Sequence, residues 1–296
     1  RNQRDGERMS KKNPEYDFKW CPGCGDFGVR RAIEMAMQQW IVKTEIPIEQ
    51  NVVVAGIGCS GNTVHLLEGQ QPYGFHGIHG RSLPLAMGVK MGNPDLNVLV
   101  VAGDGDFLSI GGEHIAPQAA RNLNVCVVIM DNGVYGLTKG QSSPTTMTGA
   151  VTPSTPFGKV EVPVEPLNLF MTLGVSFVAS GFSSKVKEMA DLILSGMEHP
   201  GFAIVHVNSP CTTYNDTYNI LKGDPKNNVP PVVYDISKDH DYTDRDAALA
   251  LVKAEGIPLG LIYQDPESNS FEQRIASTMT NAKTRTADDM FNALAI

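Results

Sequence analysis

Short apolar runs, most of them ending close to a glycine, proline or polar turn, recur along this chain. Residues 52–55, 96–102, 125–130, 175–179 and 202–207 are almost unbroken in Val, Ile, Leu, Ala, Met and Phe. Runs of this length without polar alternation predict strands buried on both faces of a sheet. Between them the spacing changes. In 29–42 the apolar positions are Val29, Ile33, Met37, Trp40 and Ile41, and in 184–197 they are Val186, Met189, Ala190, Ile193 and Leu194. Both sets lie on one face of a helix. Residues 111–122 read as a further helix, weakened inside by Pro117. Strand–helix–strand repeats close by right-handed crossovers into a parallel sheet. The expected fold is therefore α/β, a doubly wound and mostly parallel sheet, with strands 96–102, 125–130 and 202–207 ending at one edge.

Two stretches break this rhythm. Residues 140–168 hold Pro144, Pro153, Pro156, Pro163 and Pro166 among Ser and Thr, and read as an ordered excursion over a pocket or onto a partner. Residues 221–296 are polar, with helical pieces at 245–254 and 287–294. They read as a C-terminal arm packing on the core or on a partner subunit, after a domain spanning 1–220.

Composition narrows the classes. The 296 residues are 42% apolar, with 32 Asp and Glu against 24 Lys and Arg. No basic block with interleaved aromatics appears, which argues against nucleic acid. No apolar run reaches about 18 residues, so no membrane span is expected. Residues 1–12 are polar and lack the apolar stretch of a signal peptide, so a cytoplasmic location is expected.

The strand ends carry the chemistry. Gly103-Asp104-Gly105-Asp106 follows one apolar run, and Asp131-Asn132-Gly133-Val134-Tyr135-Gly136 follows the next. Asp104 and Asn132 are 28 residues apart, about one crossover, so both reach one pocket at the carboxyl edge. Their oxygens suit Mg²⁺ holding a diphosphate. The glycines beside Asp104 allow close backbone approach to phosphate. Ordinary turns would use similar residues.

The chain has five cysteines, an odd number that argues against a disulfide framework. Cys21 and Cys24 form Cys-Pro-Gly-Cys, while Cys59 and Cys211 each sit beside Gly or Pro. Cys126 lies inside an apolar strand and reads as a small core residue. The other four suit a [4Fe–4S] cluster or a structural Zn²⁺. Gly56-Ile57-Gly58-Cys59-Ser60-Gly61 matches the dinucleotide-binding glycine pattern, but residues 74–82 lack the acidic residue which that reading requires. His65, His76 and His79 have no metal-ligand spacing, and Met87 and Met91 read as core filler.

Taken in order, Trp20-Cys21-Pro22-Gly23-Cys24-Gly25, Gly58-Cys59-Ser60-Gly61, His79-Gly80-Arg81, Gly103-Asp104-Gly105-Asp106, Asp131 to Gln141, Ser143-Pro144-Thr145 and Pro210-Cys211 resemble the beta subunit of 2-oxoacid:ferredoxin oxidoreductases over roughly residues 18–220. The resemblance implies a thiamine diphosphate-binding (diphosphate-domain) fold with Mg²⁺ on Asp104, Asn132 and the Val134 carbonyl. It places a [4Fe–4S] cluster on Cys21, Cys24, Cys59 and Cys211. It also makes Ile57, Gly58, Cys59, Ser60, His79, Gly105, Asp106, Gly136 and Leu137 cofactor contacts, with Tyr135 and Leu137 lining the pocket. Arg81 would hold a carboxylate or phosphate, or pair with a surface acid.

The implied activity is oxidative decarboxylation of a 2-oxoacid to acyl-CoA and CO₂, or the reverse. Electrons would pass singly through the cluster to ferredoxin. Asn62 stands where some relatives carry Lys. Leu137, after the Tyr-Gly of the Asn132 loop, stands where relatives differ, and the resemblance favours 2-oxoglutarate over pyruvate with Leu there. No residue on this chain is expected to supply the activating Glu. That residue and the pyrimidine-binding domain are expected from an alpha subunit in an alpha-beta or alpha2-beta2 assembly. Two alternatives stay open: a non-redox thiamine decarboxylase or synthase with structural zinc, and a non-catalytic scaffold subunit.

Overall fold

The computed structural model describes residues 20–68, 72–279 and 287–294. The polar stretch 1–12 lies outside them. The strands are β1 (Asn51–Ala55), β2 (Tyr73–His76), β3 (Asn97–Gly103), β4 (Val125–Asp131), β5 (Val134–Tyr135), β6 (Gln141–Ser142), β7 (Phe177–Phe182), β8 (Phe202–Asn208), β9 (Val233–Asp235) and β10 (Ile257–Gln264). The α-helices are α1 (Asp26–Thr44), α2 (Thr63–Leu66), α3 (Ser82–Gly92), α4 (Ile115–Arg121), α5 (Pro166–Leu173), α6 (Val186–Glu198), α7 (Tyr218–Lys222), α8 (Arg245–Val252), α9 (Phe271–Met279) and α10 (Ala287–Leu294).

One sheet runs β2-β1-β3-β4-β8-β7-β10-β9. All of its pairings are parallel except β10 against β7. β5 and β6 form a separate small ladder. Alternate residues of each strand feed opposite layers. Val52, Val54, Val98 and Val100 pack with Leu83, Ile115, Phe170 and Ala248 of α3, α4, α5 and α8. Val53, Ala55, Leu99 and Val101 pack with Val29, Ile33, Met189 and Ile193 of α1 and α6. Helices cover both faces, so the central strands show no polar alternation.

The strand order sets where a ligand fits. After β1 the chain moves outwards to β2, then returns to place β3 on the other side of β1. Loops leaving β1 and β3 diverge there, which opens a crevice at the carboxyl edge. β3, β4 and β8 are mutually parallel, so Asp104, Asn132 and Cys211 all follow strands ending at that edge.

Among the elements that were not legible, three stand out. β2 is an exposed edge strand of Tyr-Gly-Phe-His. α3 holds Pro84 and two glycines among its residues, yet its Lys90 is buried, donating to the Pro94 and Leu96 carbonyls at 2.6 and 2.9 Å. β10 contains Pro258 and Gly260 and an irregular register between Leu261 and Tyr263. Through β9 and β10, residues after 221 complete the sheet. Met87 packs on the core, whereas Met91 is exposed. Among the described residues, no helix is long and apolar enough to cross a membrane.

Candidate functional site

Asp104 follows β3 directly and begins a π-helical turn, Gly105–Ile110. Asn132 follows β4, and its N–H donates to Asp104 Oδ1 at 3.3 Å. The turn is closed by Asn132 Oδ1, which accepts from Val134 N at 3.0 Å, and by Gly133 at φ 68°. The Val134 carbonyl accepts from Gly136 N at 3.1 Å. Carboxylate, carboxamide and carbonyl oxygens are hard donors of the kind Mg²⁺ takes beside phosphate. Burial, and then the charge of Asp131, push the Asp104 carboxyl up from its usual range. A buried carboxyl held in this way gains from a cation. Among the described residues, no group of three or more His, Cys, Asp or Glu is placed to hold a metal ion. Of those residue types the oxygen set uses only Asp104, so phosphate and water would have to complete it.

Asp106 ties the surrounding loops together. Its Oδ1 accepts from Ile57 N at 3.0 Å and Gly80 N at 2.8 Å, and His79 Nδ1 lies 2.6 Å away. Its Oδ2 is buried without a hydrogen-bond partner. The loop after β1 and the His79-Gly80-Arg81 turn are thereby pinned to the π turn. Gly58, at φ 126°, has open space where a side chain would stand. Gly105 accepts from the Tyr135 hydroxyl at 3.1 Å, and a Cβ there would overlap the tyrosine ring. Leu137 is half exposed. Arg81 reaches the Ile110 carbonyl and Glu113, at 2.8 and 3.2 Å.

Two of the sulfurs, those of Cys59 and Cys211, come together next to this turn. A Cβ on Gly136 would stand 3.4 Å from Cys59 Sγ, 3.8 Å from Cys211 Sγ and 3.8 Å from Asn132 Nδ2. The three cysteine-bearing segments are stitched together: Trp20 Nε1 donates to the Cys59 carbonyl at 2.9 Å, Gly25 N to the Pro210 carbonyl at 3.1 Å, and Thr212 Oγ1 to the Pro22 carbonyl at 2.9 Å. Burial pushes the Cys59 thiol up to about 12, helped by the charges of Asp26, Cys211 and Cys21. Cys24 is raised in the same way, by burial first, then by Asp26, with smaller contributions from Cys211 and Cys59. Cys24 and Cys59 each feel other cysteines of the set, although no three of the four are placed to hold a metal ion. Thiols so disfavoured as free thiolates are suited to a cationic metal group, which deprotonates its ligands. All five cysteines are free thiols, and Cys126 is buried within β4.

Sequence reasoning gave no role to three groups. Asp26 is buried at the start of α1, accepting from Ser209 and Ser60 hydroxyls at 2.6 and 3.4 Å, and burial raises its pKa to about 6. Its position two residues after Cys24 was the available signal. His206 Nε2 lies 2.9 Å from Asp131 Oδ2; His206 is hidden inside an apolar run, and Asp131 was read only as the start of the Asn132 motif. Thr145 Oγ1 lies 2.7 Å from Asp104 Oδ2 and 2.8 Å from Asp131 Oδ1; it sits among prolines that masked its placement.

Comparison with known proteins now adds to this geometry. Residues 56–207 match the family described as thiamine pyrophosphate enzyme, C-terminal TPP binding domain. Residues 211–279 match the family described as the C terminal of the pyruvate ferredoxin oxidoreductase beta subunit. The chain is 39% identical over 275 residues to the 2-oxoacid:ferredoxin oxidoreductase subunit beta of Sulfolobus sp, covering 90% of this chain and 88% of the relative. It is 37% identical over 195 residues to the 2-oxoglutarate synthase subunit KorB of Archaeoglobus fulgidus, covering 66% and 70%. A solved 2-oxoglutarate:ferredoxin oxidoreductase from Magnetococcus marinus, with 2-oxoglutarate, coenzyme A and succinyl-CoA bound, superposes with TM-score 0.84 at 34% identity over 98% of both chains. The chain therefore belongs to the beta subunits of the 2-oxoacid:ferredoxin oxidoreductases, a family of oxidoreductase subunits built on a thiamine-binding domain.

Proposed function

We propose that this subunit serves the CoA-dependent oxidative decarboxylation of 2-oxoglutarate, or its reverse, with Mg²⁺, thiamine diphosphate and one [4Fe–4S] cluster on this chain. The observation that carries the reading is the crowding around Gly136. Two cysteine sulfurs and the Asn132 side chain all border that one backbone position.

When bound, thiamine diphosphate supplies the carbanion chemistry of decarboxylation and a cluster supplies one-electron transfer. The chain's own residues do the holding. Asp104, Asn132 and the Val134 carbonyl would take the cation, while Asp106 keeps the Ile57 and Gly80 amides in place beside it. Cys21, Cys24, Cys59 and Cys211 would take the irons. Their four sulfurs come from three separate segments that one backbone and two side-chain hydrogen bonds tie together. Tyr135 and Leu137 follow the Asn132 turn and would border the reacting end.

The pyrimidine half of the cofactor and the activating Glu belong to a partner alpha subunit in this reading, because the single sheet uses most of the chain. Ferredoxin would receive the electrons, in the cytoplasm. The 2-oxoglutarate assignment rests on Leu137, the relatives named for that acid and the Magnetococcus marinus structure.

The test is to purify the complex from its native source and measure iron, sulfide and thiamine. Reduction of a low-potential acceptor is then followed with 2-oxoglutarate or pyruvate and coenzyme A. Four irons per chain and preference for 2-oxoglutarate are expected. A colourless protein carrying zinc would overturn the cluster, and clear preference for pyruvate would overturn the substrate.

A further inference from the structure

The proline-rich excursion of residues 143–164 is rooted at the metal turn. Val164 N donates to the Pro144 carbonyl at 3.0 Å, which closes the excursion on itself. Lys159 is buried, and its Nζ donates to the carbonyls of Ser143, Pro144 and Thr146 at 3.2, 3.2 and 2.8 Å. Those carbonyls flank Thr145 on both sides. A buried ammonium satisfied by three carbonyls is costly to displace, since each lost acceptor exposes a desolvated donor. Thr145 is therefore held firmly in one place.

In that place its hydroxyl faces two carboxylates but has one proton to give. Asp131 does not need it. Asp131 Oδ2 faces His206 Nε2 at 2.9 Å, and Oδ1 already accepts from Gly133 N at 3.0 Å. Asp104 is poorer in partners. Its Oδ1 has a long contact from Asn132 N, and its Oδ2 receives Thr145. Ser143 stands close enough to ease the Asp104 charge as well.

We infer that Thr145, clamped from behind by Lys159, is a positioning residue that fixes the rotation of the Asp104 carboxylate and so tunes the affinity of the site for Mg²⁺. His206 has the complementary task of engaging Asp131, so that the second carboxylate does not compete for the same hydroxyl. Partners of metal-ligating carboxylates typically contribute 10- to 100-fold in metal affinity. This assignment rests on the reading of Asp104 and Asn132 as Mg²⁺ ligands.

The experiment measures the Mg²⁺ concentration giving half-maximal thiamine diphosphate binding, by calorimetry on the assembled complex. Thr145→Val and Thr145→Ala both remove the hydroxyl but differ in shape, and each should raise that concentration about tenfold or more. Thr145→Ser keeps the hydroxyl and should stay near the wild type. Lys159→Met, which loosens the root and leaves the hydroxyl, should fall between. Thermal melts check that each variant is folded. An unchanged Mg²⁺ requirement in a folded Thr145→Val or Thr145→Ala overturns the inference, as does a serine variant as poor as valine. Wild-type protein that binds thiamine diphosphate equally well without Mg²⁺ overturns the underlying metal assignment instead, and the inference with it.

Discussion

Asp26 Oδ1 accepts a 2.6 Å hydrogen bond from Ser209 Oγ, across 183 residues of sequence. With Ser60 on its other oxygen, this one buried carboxylate links the first turn of α1, the Cys59 loop and the segment leading to Cys211. The prediction is that Asp26→Ala lowers stability by about 1–3 kcal/mol, because two hydroxyls lose a charged acceptor, and lowers iron retention with it. Asp26→Asn keeps the shape and should keep iron. It removes a negative charge beside the sulfurs, so the midpoint potential of the proposed cluster should move positive. Iron quantification and a spectroscopically monitored redox titration check both. An Asn variant with iron and an unchanged midpoint would show that the charge is irrelevant.

Two glycines should respond to alanine with opposite signs. A Cβ on Gly28 would overlap the Ser183 carbonyl oxygen, backbone against backbone. Gly28→Ala should destabilise by about 1–3 kcal/mol or more and, because α1 follows Cys24, should cost iron too. Gly88 lies exposed within α3 and has open space where a Cβ would stand. Gly88→Ala should stabilise by about 0.5–1 kcal/mol through helix propensity alone. Paired thermal or urea melts decide it, and a destabilised Gly88→Ala would mean that the helix face is not free.

The central strands and the two helices flanking them were legible because double-sided burial writes itself as continuous apolar runs. The edge elements were not. β2 has one neighbour and exposed side chains, so little in its sequence is constrained. Asp104 and Asn132 announced themselves through adjacent glycines and their spacing. Asp26 and Thr145 did not, since their partners lie 183 and 41 residues away and no local pattern encodes such a contact. Asp106 was expected beside the phosphates, and its strongest visible role is to hold the Ile57 and Gly80 amides.

The excursion after Thr145 should matter for assembly. Phe157 is 100% exposed, Val160 84% and Val162 81%, yet the Gly149–Lys159 and Ala150–Lys159 backbone hydrogen bonds keep this segment ordered. Large apolar side chains on an ordered segment suit burial against a partner. Phe157→Ser combined with Val160→Thr should leave the melting temperature of the isolated chain unchanged within error. The same pair should weaken capture of the alpha subunit, measured by co-purification and by titration of one subunit with the other. Undiminished assembly would assign the segment to another role.

His199 should make stability pH-dependent in a defined direction. The imidazole is buried, with Nε2 2.8 Å from Ser176 Oγ and Nδ1 without a hydrogen-bond partner. Burial lowers its pKa from 6.5 to about 4, against a smaller opposing effect of Asp265. Between those values the unfolded chain binds a proton that the folded chain refuses. Stability from this group is therefore present above about pH 6.5 and is lost as pH falls toward 4, by no more than a few kcal/mol in all. Asp26 works the other way: its raised pKa lets the folded chain take up a proton first as pH falls through about 6. The absolute pH profile mixes both, so the useful measurement is the difference between wild type and His199→Gln, which retains a donor toward Ser176. From pH 7 to 4.5 the wild type should lose more melting temperature than the variant. Parallel losses would mean that His199 is protonated in the folded state with little penalty, and that its surroundings are more polar than their burial implies.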